Sequence, residues 1–131
     1  MGDRPLSPHL SVYKFKYTLL TSILNRFTGL ALTLGLLLLT YWLTALSSGP
    51  EAYAAALGLL SHGLAKLVYA ALLVAFCYHL VAGIRHLVWD TGRYMEKSQS
   101  QRSAWIIAVV TVLLAAVLGY FLFCPVTGAA L

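Results

Sequence analysis

The sequence predicts an all-α integral membrane protein with three transmembrane helices, N-terminus inside and C-terminus outside. Three observations lead there. Of its 131 residues 60% are hydrophobic and only 10% charged, whereas a soluble domain carries about 25% charged residues. Three runs, Leu30–Leu46, Leu67–Ile84 and Ala104–Cys124, contain no Asp, Glu, Lys or Arg; each is close to the ~20 residues a spanning helix needs. Eight of the nine Lys and Arg then fall at two places. Arg4, Lys14, Lys16 and Arg26 precede or open the first helix, and Arg85, Arg93, Lys97 and Arg102 surround the second connection. Only Lys66 lies near the first connection, which is the positive-inside pattern for three spans.

Residues 1–20 read as an inner N-terminal segment. Pro5 and Pro8 break regular structure, and Tyr13-Lys14-Phe15-Lys16-Tyr17 alternates rings with ammonium groups, as suits the headgroup level. Helix 1 is expected over about 21–46, ended by Ser47-Ser48-Gly49-Pro50, with Pro50 suited to open a short outer helix over Glu51–Leu60. Helix 2 is expected over 64–89, a polar inner loop over Thr91–Ser103, and helix 3 over 104–123, stopped by Pro125. The whole chain, 1–131, is one transmembrane domain with no internal repeat. The first apolar run lacks the short apolar core and cleavage site of a secretory signal. No Arg- and Ser-rich transit peptide precedes Arg4, so a bacterial inner membrane is expected over a mitochondrial one. The net charge of +5 is concentrated at one membrane face and does not call for nucleic acid. Cys77 and Cys124 lie on different helices and are expected to be unpaired. Without a Cys-x-x-Cys-His run, any haem is held without thioether links.

The chemistry concentrates in His79-Leu-Val-Ala-Gly83-Ile-Arg85-His86-Leu-Val-Trp89-Asp90. A titratable ring at membrane depth is costly and usually serves a function, and an imidazole among apolar side chains is a suitable haem ligand. His79, Gly83, His86 and Asp90 recur at one face of helix 2; Ser22, Arg26 and Gly29 recur at one face of helix 1. Helix 1 starts inside and helix 2 ends inside, so both stripes lie at the same depth, where Gly29 and Gly83 admit a close backbone or a flat macrocycle. His79 is the candidate ligand of a haem iron. Arg26 and His86 are candidates to pair with haem propionates, Ser22 and Arg26 to hold a quinone carbonyl, and Asp90 to relay protons. If the haem has two histidine ligands, the second comes from another chain: His62 lies about 25 Å along the same helix, and His86 about 10 Å.

Each residue also has a plainer role. Ser22 can bond back to its own helix. Arg26 and Arg85 can anchor at the inner surface by snorkelling, which is the expectation kept for Arg85. His86 and Asp90 can form an interfacial ion pair. His9 and His62 suit solvent or an interface, and Trp89, Tyr94 and Trp105 suit the inner aromatic belt.

Three motifs together resemble the cytochrome b membrane-anchor subunits of succinate dehydrogenase, respiratory complex II. Arg4-Pro5-Leu6-Ser7-Pro8-His9-Leu10 resembles the family's N-terminal signature. Ser22-Ile23-Leu24-Asn25-Arg26-Phe27-Thr28-Gly29 resembles its Ser-Ile-x-His-Arg-x-Ser/Thr-Gly, and His79-x-x-x-Gly83-Ile84-Arg85-His86-Leu87-x-x-Asp90 its second signature. The resemblance implies haem b with His79 as axial ligand and the other ligand from a second small membrane-anchor subunit. It implies Ser22, Ile23 and Arg26 at ubiquinone, His86 and Arg26 near the haem propionates, and iron–sulfur and flavoprotein subunits on the inner face, passing electrons from succinate to ubiquinone. Asn25 stands where the family usually has His; it donates a hydrogen bond but carries no charge.

Three rivals remain: a fumarate reductase anchor using menaquinol, a self-contained homodimeric cytochrome, and a cofactor-free pore former. The chain is not a complete enzyme, having no dinucleotide fingerprint and no cysteine set for an iron–sulfur cluster.

Overall fold

The computed structural model describes residues 17–94 and 96–123. They form four helices: α1 (Tyr17–Ser47), α2 (Pro50–Leu60), α3 (Gly63–Asp90) and α4 (Lys97–Phe123). Three helical stretches, Leu19–Ser47, Gly63–Asp90 and Ser98–Phe123, are long and apolar enough to cross a bilayer. At 1.5 Å per residue each exceeds the ~30 Å hydrocarbon core. The expected all-α, three-span architecture is what the chain adopts. The motif Arg4–Leu10, His9 and Cys124 lie outside the described residues.

Two boundaries differ from the sequence expectation. Helix 1 begins at Tyr17 rather than 21, where Tyr17 stacks on Trp105 of α4 at 4.9 Å between ring centroids. Helix 3 begins at Lys97 rather than 104, so the inner loop shrinks from 91–103 to 91–96. Ser98–Ser103 is polar, which suggested a loop, but Gln and Arg are good helix formers. The turn is also used: Ser100 meets α3, as described below.

α3 is central, packing against both α1 and α4, while α1 and α4 meet less extensively. With lipid outside as apolar as the core, helices gain little from hiding hydrophobic surface and associate through close packing of small residues. Accordingly the buried positions are mostly small: Ala75, Cys77 and Ala82 on α3, Ala104 on α4, with Ile107 the main large one. Leu72 packs so closely on Gly35 that a Cβ there would lie 3.1 Å from its Cδ2. Four threonine hydroxyls of α1 are satisfied within the helix. Thr28, Thr33, Thr40 and Thr44 each donate to the carbonyl four residues back, at 2.8, 3.0, 2.8 and 2.8 Å, which spares a lipid-facing hydroxyl the cost of desolvation.

The turns follow local chemistry. Gly49 takes φ 111°, open to glycine, and Pro50 starts α2. His62 caps α3, its Nδ1 accepting from the Leu64 amide at 3.4 Å, while Tyr69 donates to the Leu60 carbonyl at 3.0 Å. Gly92 at φ 76° ends α3.

Candidate functional site

His79 lies half-buried at the α1–α3 contact. Its Nδ1 is 3.2 Å from Thr28 Oγ1 and 3.2 Å from the Asn25 carbonyl oxygen. A carbonyl only accepts, so the proton sits on Nδ1. The single proton of Thr28 Oγ1 has the Leu24 carbonyl at 2.8 Å as its nearest acceptor, so the hydroxyl oxygen receives from His79. The tautomer is thereby set, and the Nε2 lone pair has no hydrogen-bond partner among the described residues. Anchoring the far nitrogen in this way is how metal-bound histidines are oriented and made more basic.

The backbone of α1 makes room for the ring. A Cβ on Gly29 would stand 3.1 Å from His79 Cε1 and 3.7 Å from Nδ1. Gly83, one turn further along α3, has open space where its Cβ would be. A fixed tautomer, a free Nε2 and an open glycine face beside it fit a haem with one ligand from this chain. No group of three His, Cys, Asp or Glu converges among the described residues.

The remaining sequence-predicted residues are placed as follows. Ser22 and Ile23 are half-buried and Arg26 is exposed. Ile23, Arg26, Phe27 and Leu30 line a shallow open cavity. At 3.6 residues per turn, Arg26 sits about 110° around α1 from the Asn25–Thr28–Gly29 ridge that meets His79. The α1 stripe therefore divides: Gly29 touches His79, and Arg26 looks outward from this chain. His86 is exposed, edge-on to Trp89 at 5.5 Å between centroids. Asp90 is exposed, and no His86–Asp90 ion pair is found among the described residues.

Arg85 corrects the sequence expectation. It was expected to reach the inner surface; it is instead buried, 9% exposed. Its Nη1 donates to Thr21 Oγ1 at 3.2 Å, and its Nη2 donates to the Ser100 carbonyl and Oγ, each at 3.1 Å. The guanidinium carbon stands 3.9 Å from the centre of the Trp89 ring. Three neutral acceptors at the two Nη atoms and an aromatic face take the place of water, while the buried Nε has no partner among the described residues. Trp89 thus has a structural partner beyond the aromatic belt. Sequence reasoning also missed Thr28 and the Asn25 carbonyl as partners of His79. For Thr28 the available signal was its place on the α1 face that carries Gly29; the Asn25 backbone carbonyl leaves none.

Comparison with known proteins covers most of the chain. The sequence model of the family described as succinate dehydrogenase/fumarate reductase transmembrane subunit matches residues 2–118. A succinate dehydrogenase cytochrome b556 subunit of Paracoccus denitrificans is 40% identical over 114 residues, covering 87% of this chain and 88% of that one. The b556 subunit of Rickettsia prowazekii is 38% identical over 113 residues, covering 86% and 88%. The human mitochondrial cytochrome b560 subunit is 36% identical over 114 residues, covering 86% and 68%.

Proposed function

We propose a function from one premise: the chain belongs to the family of succinate dehydrogenase/fumarate reductase transmembrane subunits. It is the cytochrome b membrane anchor of a succinate:ubiquinone oxidoreductase. It binds haem b, helps form the ubiquinone-reduction site and delivers electrons from succinate oxidation to the respiratory chain of a bacterial inner membrane. Its partners are a second small anchor subunit carrying the other haem ligand, an iron–sulfur subunit and a flavoprotein. The relatives matched above are named for succinate dehydrogenase, which favours this direction over fumarate reduction with menaquinol.

The observation that carries the haem assignment is the tether of His79. Asn25 and Thr28 hold the Nδ1 proton, so Nε2 presents its lone pair without first losing a proton or turning the ring. Gly29 lets the ring lie against α1. A b-type haem held by His79 would supply a one-electron redox centre. Arg26 would supply positive charge, and His86 a ring N–H, for propionates that low dielectric would otherwise leave uncompensated. Arg26, exposed beside Ile23 in an open cavity, donates to a quinone carbonyl oxygen, and the Ser22 hydroxyl donates alongside it. Ile23 packs on the quinone ring, and Asp90 at the inner end of α3 passes protons inward from the aqueous face.

The test is the reduced-minus-oxidised visible spectrum of the intact complex in mild detergent. A b-type α band is expected, with co-purifying subunits that carry flavin and iron–sulfur signals. His79→Ala is expected to lose or alter the band; wild-type haem content and spectrum would overturn the ligand assignment. Ser22→Ala and Arg26→Ala are expected to depress quinone reduction more than reduction of a soluble dye. Equal loss of both activities would reassign them to assembly. A b-type band without partner subunits would favour a self-contained cytochrome, and its absence from intact membranes would favour a cofactor-free pore former.

A further inference from the structure

We infer that Arg85 is a positioning residue for quinone reduction, locking Thr21 of α1 and Ser100 of α4 onto α3 and so setting where the adjacent Ser22 stands. The inference rests on the quinone role proposed above for Ser22 and Arg26.

The geometry has three parts. First, Arg85 joins all three long helices. One guanidinium nitrogen donates to Thr21 Oγ1 on α1, and the other to the Ser100 carbonyl and hydroxyl on α4. Its flat face rests on Trp89. Second, α3 grips the same α1 residue twice, because the Tyr78 hydroxyl donates to the Thr21 carbonyl at 2.9 Å. One to two turns further along α1, the Asn25 carbonyl and Thr28 hydroxyl are bonded to His79. The α1 segment Thr21–Thr28, which contains Ser22, Ile23 and Arg26, is therefore tied to α3 at both ends. Third, Arg85 is buried, and among the described residues no carboxylate lies within ion-pair distance of it.

The third point identifies the role. Burying a cation without a counter-ion is costly, so Arg85 is a poor device for stability alone. What it supplies is direction. A planar fork bonded to fixed acceptors on two other helices allows little rotation or sliding of α1. Even a ~1 Å misplacement of substrate-binding groups can cost about 100-fold in rate. Lysine cannot substitute: its point charge cannot reproduce the fork that reaches Thr21 and Ser100 together.

The experiment compares Arg85→Lys, Arg85→Gln and Thr21→Val in the purified intact complex. The assays are steady-state reduction of a short-chain ubiquinone, reduction of a soluble dye, and the visible haem spectrum. Arg85→Lys and Arg85→Gln are each expected to raise the quinone KM by about tenfold. Dye turnover and the haem spectrum are expected to stay as in the wild type. Thr21→Val keeps the side-chain shape, removes one acceptor, and is expected to raise KM less.

Restoration of the wild-type KM by lysine would show that charge alone matters and overturn the clamp. Parallel loss of dye and quinone turnover would also overturn it, as a defect of general integrity. If the Arg85 variants do not assemble, Thr21→Val decides: a raised KM supports the clamp and an unchanged one overturns it. Ser22→Ala in the same assay separates the two claims. Should it leave KM unchanged, the quinone assignment itself fails. Should it raise KM while the Arg85 and Thr21 variants do not, the clamp alone fails.

Discussion

Replacing Gly29 with alanine places a methyl carbon 3.1 Å from His79 Cε1, 3.7 Å from Nδ1 and 4.0 Å from Nε2. Non-bonded carbons pack at about 3.5–4.0 Å, so the ring or the backbone must retreat by about 0.4–0.9 Å. The ring has little slack. Its Nδ1 is held by two oxygens at 3.2 Å, and a hydrogen bond stretched to about 3.6 Å is no longer one. Overpacking of this kind costs about 1–3 kcal/mol. Charged to the ligating orientation of His79, that disfavours it by about 5- to 140-fold. Helix propensity acts in the opposite direction, since alanine inside a helix is favoured over glycine by about 1 kcal/mol. Stability and ligation should therefore separate. Gly29→Ala is expected to assemble with a melting temperature close to wild type but with a lowered haem-to-flavin ratio, or with the low-spin haem signal shifted toward high spin. The assay is pyridine haemochrome against flavin content, with visible and paramagnetic resonance spectra and a parallel thermal melt. Gly58→Ala is the control, because a Cβ there meets nothing within 4 Å. Wild-type haem content and spectra in Gly29→Ala would falsify the contact between His79 and α1 on which the ligand assignment rests.

Thr28→Val removes one of the two partners of His79 Nδ1 and leaves the Asn25 carbonyl. A ligand made less basic stabilises oxidised iron less, so the haem midpoint should rise. The lost hydrogen bond, about 0.5–1.5 kcal/mol, bounds the rise at about 20–60 mV in a potentiometric titration. An unchanged or lowered midpoint would contradict the tether. Gly58→Ala itself should raise thermal stability by about 0.4–1 kcal/mol in a melt of the intact complex, since α2 already has helical geometry there. A phosphatase fused after Leu131 should be active in whole bacterial cells, and one fused within the α3–α4 loop inactive; the reverse pattern would overturn the N-inside, C-outside topology read from the Lys and Arg distribution.

The sequence by itself determined the architecture and marked the residues on which a site is proposed. A chain so apolar, with three uncharged runs of spanning length, has no alternative to helices in a bilayer, because lipid satisfies no backbone amide or carbonyl. His79 could be singled out for the same reason: in that solvent a lone imidazole is conspicuous. Position along one chain also argued that a second axial histidine must come from elsewhere, because distance along a helix follows from residue count alone.

Only the tertiary structure decided what each polar group touches. Arg85 and Arg26 look alike in sequence, each a cation near the inner end of an apolar run. Arg85 turns into the bundle because Thr21, Ser100 and Trp89 converge there from three helices, and Arg26 stays exposed. The polar stretch after Lys97 reads as loop because polarity is a statement about solvent rather than about backbone, and its helical turn is what carries Ser100 to Arg85. The tautomer of His79 is set by a backbone carbonyl. Every residue type supplies that group, so no sequence pattern marks it, and only the packing of α1 on α3 brings it to the ring.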